Sequence, residues 1–186
     1  MQIDASGFLD TTQFIASPNF DERPLGTEIT LLVIHNISLP PNEFMGEGVI
    51  ELFTNQINPE DHPYYLSLQG LKVSTHFFIR RNGTTIQFVS CNDRAWHAGV
   101  SSWQGKDRCN DYSIGIELEG SDITPFADAQ YAALIALTNC LCGSYPIKHI
   151  VGHSDIAPDR KTDPGPYFDW KKLDDNGYFR TTKDFL

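Results

Sequence analysis

The chain is short of basic residues, of long apolar runs and of paired cysteines. Fourteen Lys and Arg stand against 24 Asp and Glu, for a net charge of -10. That balance argues against a nucleic-acid backbone or an anionic membrane as partner. No apolar stretch is long enough to span a bilayer. The first residues, Met1 to Ser6, offer neither a basic n-region nor an apolar h-region, so the expected compartment is the cytoplasm. The four cysteines, Cys91, Cys109, Cys140 and Cys142, form no Cys-x-x-Cys pair and no disulfide-scaffold spacing, and reduced, packed thiols are expected. Repeats, low-complexity segments and linkers are absent too. What remains is an ordinary globular composition, 40% hydrophobic and 20% charged, over 186 residues, enough for one domain with a substantial core. A monomer is expected.

Residues 1–28 carry turn formers at Pro18-Asn19 and Arg23-Pro24-Leu25-Gly26, and read as an irregular arm wrapped on the domain. The run Ile29 to Ile34 is continuous, β-branched and apolar, which predicts a strand covered on both faces and ending at His35-Asn36. Helical spacing follows between Glu43 and Asn55, weakened by Gly46 and Gly48, with a short helix near Tyr64 to Gln69. Val73 to Arg80 and Thr84 to Val89 predict a hairpin turning at Asn82-Gly83. Arg94 to Arg108 reads as a long loop holding Trp96 and Trp103, and loops of that length tend to be functional. Tyr112 to Gly120 alternates: Ile114, Ile116 and Leu118 point one way, while Ser113, Gly115, Glu117 and Glu119 point the other. A helix is expected from Thr124-Pro125, with a stripe through Tyr131, Leu134, Ile135, Thr138 and Leu141, stopped by Gly143 and Pro146.

The densest chemistry lies between Val151 and Pro166. An apolar run from Ile147 to Val151 delivers His153 into a loop that also holds Asp155, Asp159, Arg160, Lys161 and Asp163 and is closed by Pro164-Gly165-Pro166. Alone, this is equally well a solvated connection stiffened by prolines. His and carboxylate together are also zinc ligands, and a catalytic zinc takes three protein ligands and a water. His35 repeats the placement of His153 at the end of an apolar strand. Two such histidines, with Asp163 beside a rigid turn, favour a metal site. His149 and His153 are four apart, but no Glu follows the first, so the helical zinc-protease pattern is rejected. His76 and His97 are expected on a pocket wall and His62 at the surface.

A metal hydrolase needs a base and a cation beside the metal. Glu117 on the cleft-facing strand can be the base and Lys161 the cation, though either alone reads as an ordinary surface charge. Glu117 and Glu119 also offer a competing reading, a glycosidase pair, since alternate strand residues lie roughly 6.5–7 Å apart. Such carboxylates must flank a bond, whereas these line up on one side of it.

The stretches Val33 to Asn36, Val73 to Phe77, Arg94 to Ser101, Arg108 to Gly120, Val151 to His153 and Lys161 to Trp170 resemble, in the same order, those of the zinc-dependent N-acetylmuramoyl-L-alanine amidases of the peptidoglycan-recognition and phage-lysozyme superfamily. The likeness is strongest to the cytosolic branch acting on 1,6-anhydro-muropeptides. It implies an α/β fold, one domain over 29–173 with a central mixed sheet flanked by helices, an arm over 1–28 and a tail over 174–186. It implies zinc held by His35, His153 and Asp163, with Glu117 as general base and Lys161 holding the oxyanion. Broader relatives often use Cys as the third ligand and a Tyr near the metal; this chain has Asp163 and no Tyr between His35 and Tyr64. Asn36, Arg80, Trp96, His97 and Arg108 are the implied substrate-binding residues. The implied reaction cuts the amide between the lactyl group of anhydro-N-acetylmuramic acid and L-alanine of the stem peptide, in cell-wall recycling. Two rivals stay open: a peptidoglycan-fragment binding module without catalysis, and a secreted amidase acting on intact wall.

Overall fold

A computed structural model describes residues 1–175 and 177, so most of the expected tail lies outside the described residues. In chain order the elements are β1 (Gln13–Phe14), β2 (Phe20–Glu22), β3 (Leu31–Ile37), α1 (Gly48–Phe53), β4 (Phe77–Ile79), β5 (Thr85–Gln87), β6 (Asp93–Ala95), β7 (Ser102–Trp103), β8 (Lys106–Asp107), β9 (Ser113–Glu119), α2 (Asp128–Ser144), β10 (His149–Gly152), α3 (His153–Ile156) and α4 (Lys171–Asp174). Six strands form one sheet in the order β1-β5-β4-β9-β3-β10. Only β4 and β5 pair antiparallel; the other four pairings are parallel. This is the expected α/β architecture with a mixed central sheet.

The two long strands at its centre alternate strictly. Leu32 and Ile34 of β3, with Ile114, Ile116 and Leu118 of β9, pack against Leu134, Leu137 and Leu141 of α2. The opposite row of β3, Leu31 and Val33, packs with Val151, Ala98, Trp103 and Tyr112. Each fully buried aliphatic side chain contributes roughly 1.5–3 kcal/mol. A one-residue slip would turn every one of them to the wrong side, so the register is firmly set. That register carries the site: His35 continues the Leu31–Val33 row, and its Cα partner on β9 is Glu117. On the other flank Gly152 of β10 pairs with Ile34, which brings His153 level with His35. A third apolar cluster, with Phe53, Phe78, Ile86 and Phe88, fills the space under α1.

Several elements depart from the sequence pattern. β3 runs past the expected end at His35-Asn36 to Ile37, because β9 keeps pairing with it. The hairpin strands are shorter than expected, although the turn at Asn82-Gly83 is there, with Gly83 at φ 84° donating to the Arg80 carbonyl. The long loop after Arg94 contains the small β7–β8 hairpin, and its first residues belong to β6, which pairs with β2. α2 starts at Asp128 rather than at Thr124-Pro125. The Phe126 ring occupies the space a Cβ on Gly120 would fill, and Gln130 Oε1 accepts from the N–H of Ala127, whose extended backbone caps the helix. The helix also runs through Gly143 to Ser144. The arm contributes β1 and β2, and Arg23 donates to the carbonyls of Cys91, Asn110, Asp111 and Ser113. All four cysteines are unbonded. No described helix is long and apolar enough to cross a membrane.

Candidate metal centre

Three donor atoms from distant parts of the chain meet beside the carboxyl end of β3. His35 Nδ1 is 2.9 Å from His153 Nδ1 and 3.0 Å from Asp163 Oδ2, and His153 Nδ1 is 3.1 Å from the same oxygen. The parallel β3–β10 pairing supplies the two imidazoles. Asp163 arrives by a return of the chain after α3. Its carbonyl accepts from the Ser154 N–H at 2.9 Å, and the next carbonyl, Pro164, accepts from Asn36 Nδ2 at 3.0 Å. Gly152 is required here, since a Cβ would sit 2.7 Å from the Pro164 ring.

The proton positions decide what this cluster can hold. His153 Nε2 lies 3.1 Å from the Ala98 carbonyl, which can only accept, so a neutral His153 carries its proton there and turns the Nδ1 lone pair inward. Burial first, then the neighbouring His153, pulls the pKa of His35 down to about 4, so it too is neutral near pH 7. Burial raises the Asp163 carboxyl, but in the metal-free cluster a ring proton donated from His153 or His35 Nδ1 to Oδ2 outweighs it and holds the group below the usual carboxylate range. Once a cation displaces that proton, two imidazole nitrogens and a carboxylate point electron pairs at one spot. Such a donor set fits a divalent cation, and two nitrogens, one carboxylate and an open position suit zinc.

The cluster opens into a cavity of about 520 Å³, the size of a small-molecule site. Leu39, Leu52, Phe53, Leu68 and Val73 are among its apolar lining, and Asn36, Glu117, Asp122, Lys161 and Asp163 among its polar lining. Glu117 is buried, and its Oε2 has no hydrogen-bond partner. Burial, reinforced by the charge of Asp163 and only partly offset by Lys161, pushes its carboxyl well above the usual range. The arrangement provides, within one cavity, a cation site, a proton carrier and a lysine.

The other expected residues divide. Asn36, Trp96 and His97 line the cavity. Arg80 and Arg108 do not: Arg80 pairs with Glu47 at 2.9 Å and donates to the Gly46 carbonyl, and Arg108, 69% exposed, pairs with Asp111 at 3.0 Å. His76 is no wall residue; it lies behind His97, accepting from the Gly115 N–H at 3.0 Å. His62 is half-buried and caps a short 3₁₀ turn over Pro63–Leu68. Glu119 cannot partner Glu117 across a bond, because its two oxygens accept from the Met45 and Arg81 backbone N–H groups. The sequence reading missed Asp122, which lines the cavity and accepts from Asn36 at 2.8 Å, and Ala98, whose carbonyl orients His153. Neither carries a local signal.

Comparison with known proteins finds relatives over most of the chain. The model of the family described as N-acetylmuramoyl-L-alanine amidase matches residues 25–166. The 1,6-anhydro-N-acetylmuramyl-L-alanine amidase AmpD of Enterobacter cloacae is 53% identical over 170 residues, covering 90% of this chain and 91% of that protein. A crystal structure of a selenomethionine AmpD derivative superposes with a TM-score of 0.91 at 51% identity, covering 94% of this chain and 98% of the other. The amidase AmiD from E. coli, solved with anhydro-N-acetylmuramic acid-L-Ala-D-gamma-Glu-L-Lys, matches with a TM-score of 0.61 at 33% identity, over 85% of this chain and 62% of AmiD.

Proposed function

We propose, from the premise that this chain belongs to the N-acetylmuramoyl-L-alanine amidase family, that it hydrolyses the amide between the lactyl group of 1,6-anhydro-N-acetylmuramic acid and L-alanine of the stem peptide. The observation that carries the reading is the convergence of His35 Nδ1, His153 Nδ1 and Asp163 Oδ2 within 3.1 Å of one another, beside the unpartnered carboxyl oxygen of Glu117.

His35, His153 and Asp163 are the residues that would hold zinc. When bound, zinc lowers the pKa of a water to about 7 and polarises a carbonyl. Glu117 takes the proton of the attacking water as the carbon–oxygen bond forms, then returns it to the alanine nitrogen as the carbon–nitrogen bond breaks. A carboxyl held unpartnered in a buried wall is suited to carrying a proton both ways. A base must start ionised, and the positive charge of Lys161, which also lines the cavity, favours the ionised carboxylate. Lys161 also supplies positive charge where the carbonyl oxygen turns anionic. The apolar lining of the cavity takes the sugar and lactyl methyl, with Asn36 as a polar contact and Trp96, whose indole N–H donates to Asp21, as ring surface. The four unbonded cysteines fit a reducing compartment, in keeping with recycling of wall fragments in the cytosol. The amidase domain is taken as 29–173, the arm over 1–28 being packed on it.

The test is digestion of a defined anhydro-muropeptide by zinc-loaded protein, read by mass spectrometry. Release of the intact stem peptide and the anhydro-sugar is expected. Bound zinc without cleavage would identify a fragment-binding module instead, and cleavage of the sugar chain would contradict the amide assignment.

A further inference from the structure

The two imidazoles of the cluster are held from behind by consecutive residues, and they are held differently. His153 Nε2 faces the Ala98 carbonyl at 3.1 Å, an acceptor with no choice of role. His35 Nε2 faces Nδ1 of His97 at 2.9 Å, and an imidazole nitrogen can either donate or accept. The choice passes to the far side of His97, where Nε2 lies 3.1 Å from Ser113 Oγ. With the proton on that nitrogen, donated to the serine, Nδ1 of His97 is bare and accepts from His35 Nε2–H. His35 then turns a lone pair on Nδ1 into the cluster, matching His153.

The bracket is built to stay in place. Asn110 Oδ1 accepts from the N–H groups of both His97 and Ala98, at 3.2 and 2.8 Å. Arg160 Nη2 donates to the Ala98 carbonyl at 2.8 Å, beside His153. The His97 ring lies edge-on to His35, with centroids 5.0 Å apart, and fills the space above Gly115, where a Cβ would come within 2.5 Å of its Cγ. His97 is buried between the strands and the cluster, so its ring nitrogens are engaged with protein groups although its edge borders the cavity.

We infer that His97 is a positioning residue, not a substrate contact: it fixes the tautomer and orientation of His35 as the Ala98 carbonyl fixes those of His153. The inference rests on the metal reading given above. Partners behind metal-binding imidazoles are typically worth 10–100-fold in metal affinity.

The experiment measures zinc affinity by competition with a chromogenic chelator for the unsubstituted protein, His97→Leu and His97→Asn. Leucine removes the acceptor; asparagine keeps one on its γ substituent, near the place of Nδ1. We expect about a 10–100-fold loss for His97→Leu and recovery of most of it in His97→Asn. In the zinc-loaded protein, the hydrogen-bonded Nε2–H proton resonance of His35 shifts in His97→Leu while that of His153 stays. Equal affinity in His97→Leu and the unsubstituted protein overturns the positioning role alone, as does a His97→Asn variant no better than His97→Leu. If His97→Leu does not fold, His97→Asn decides, and a loss of about tenfold or more there counts against the role. Absence of zinc binding in the unsubstituted protein would sink the metal reading, and this inference with it.

Discussion

Glu117 and Glu119 are the same residue type on the same face of β9, two positions apart and both buried, yet they live in opposite surroundings. The oxygens of Glu119 accept from the N–H groups of Met45 and Arg81, so it ties the loop before α1 to the β4–β5 turn. Glu117 opens on the cavity with one oxygen unpartnered. A buried acid saturated by backbone donors is a structural clamp; a buried acid left unsatisfied is a proton carrier in waiting. Position on the strand does not separate them. Their partners do, and those of Glu119 come from residues 38 and 74 positions away.

Breaking the pair one member at a time gives the largest contrast. Glu117→Ala is expected to keep the metal and lose about 10²–10⁴-fold in turnover, measured on defined anhydro-muropeptide. Glu119→Ala keeps the chemistry and loses stability instead. It removes the acceptor of two part-buried N–H groups, at about 0.5–1.5 kcal/mol each, a loss that denaturant unfolding would read. If Glu119→Ala abolished turnover while the protein stayed folded and kept its metal, the contrast would fail. Lys161→Ala sharpens the Glu117 side: removing charge beside a developing oxyanion lowers turnover by about 10²–10³-fold, with metal retained. Metal loss in that variant would give Lys161 a different role.

The smallest effect is one of pH. The carboxyl of Glu117 has its pKa raised by burial above an ordinary value near 4.5. The metal-free folded protein therefore holds that proton more tightly than the unfolded chain. Its contribution to stability is fully present below pH 4.5 and is lost as pH rises through the folded-state pKa. Glu117→Gln has no such loss. Its stability relative to the unsubstituted metal-free protein should climb as pH rises from about 4.5 to the folded-state pKa and level off above it. A constant difference across the range would mean that Glu117 is not held protonated.

The same contrast marks how far the sequence could be read. β3, the Asn82-Gly83 turn, the alternation of β9 and the strand leading to His153 are local patterns, set by side-chain period and turn chemistry. His35, His153 and Asp163 could be singled out by residue type and by resemblance. Their meeting depends on β3 pairing parallel with β10 across more than 110 residues, a contact that no window of sequence displays. Where partners are remote, the reading stopped. Arg23 sits in a turn-like stretch and reads as a surface residue, yet its donors are taken by carbonyls 68 to 90 positions away. Arg80 and Arg108 look suited to a substrate carboxylate, and the ion pairs they make with Glu47 and Asp111 are not visible in the sequence. α2 starts late because Phe126 needs the space over Gly120.

The central claim is that His35, His153 and Asp163 hold one cation. Metal analysis of the purified chain and of Asp163→Ala, after dialysis against zinc and then against buffer, tests it without reference to catalysis. The account predicts one zinc per chain in the first and essentially none in the second. No zinc in either, or equal zinc in both, would contradict it.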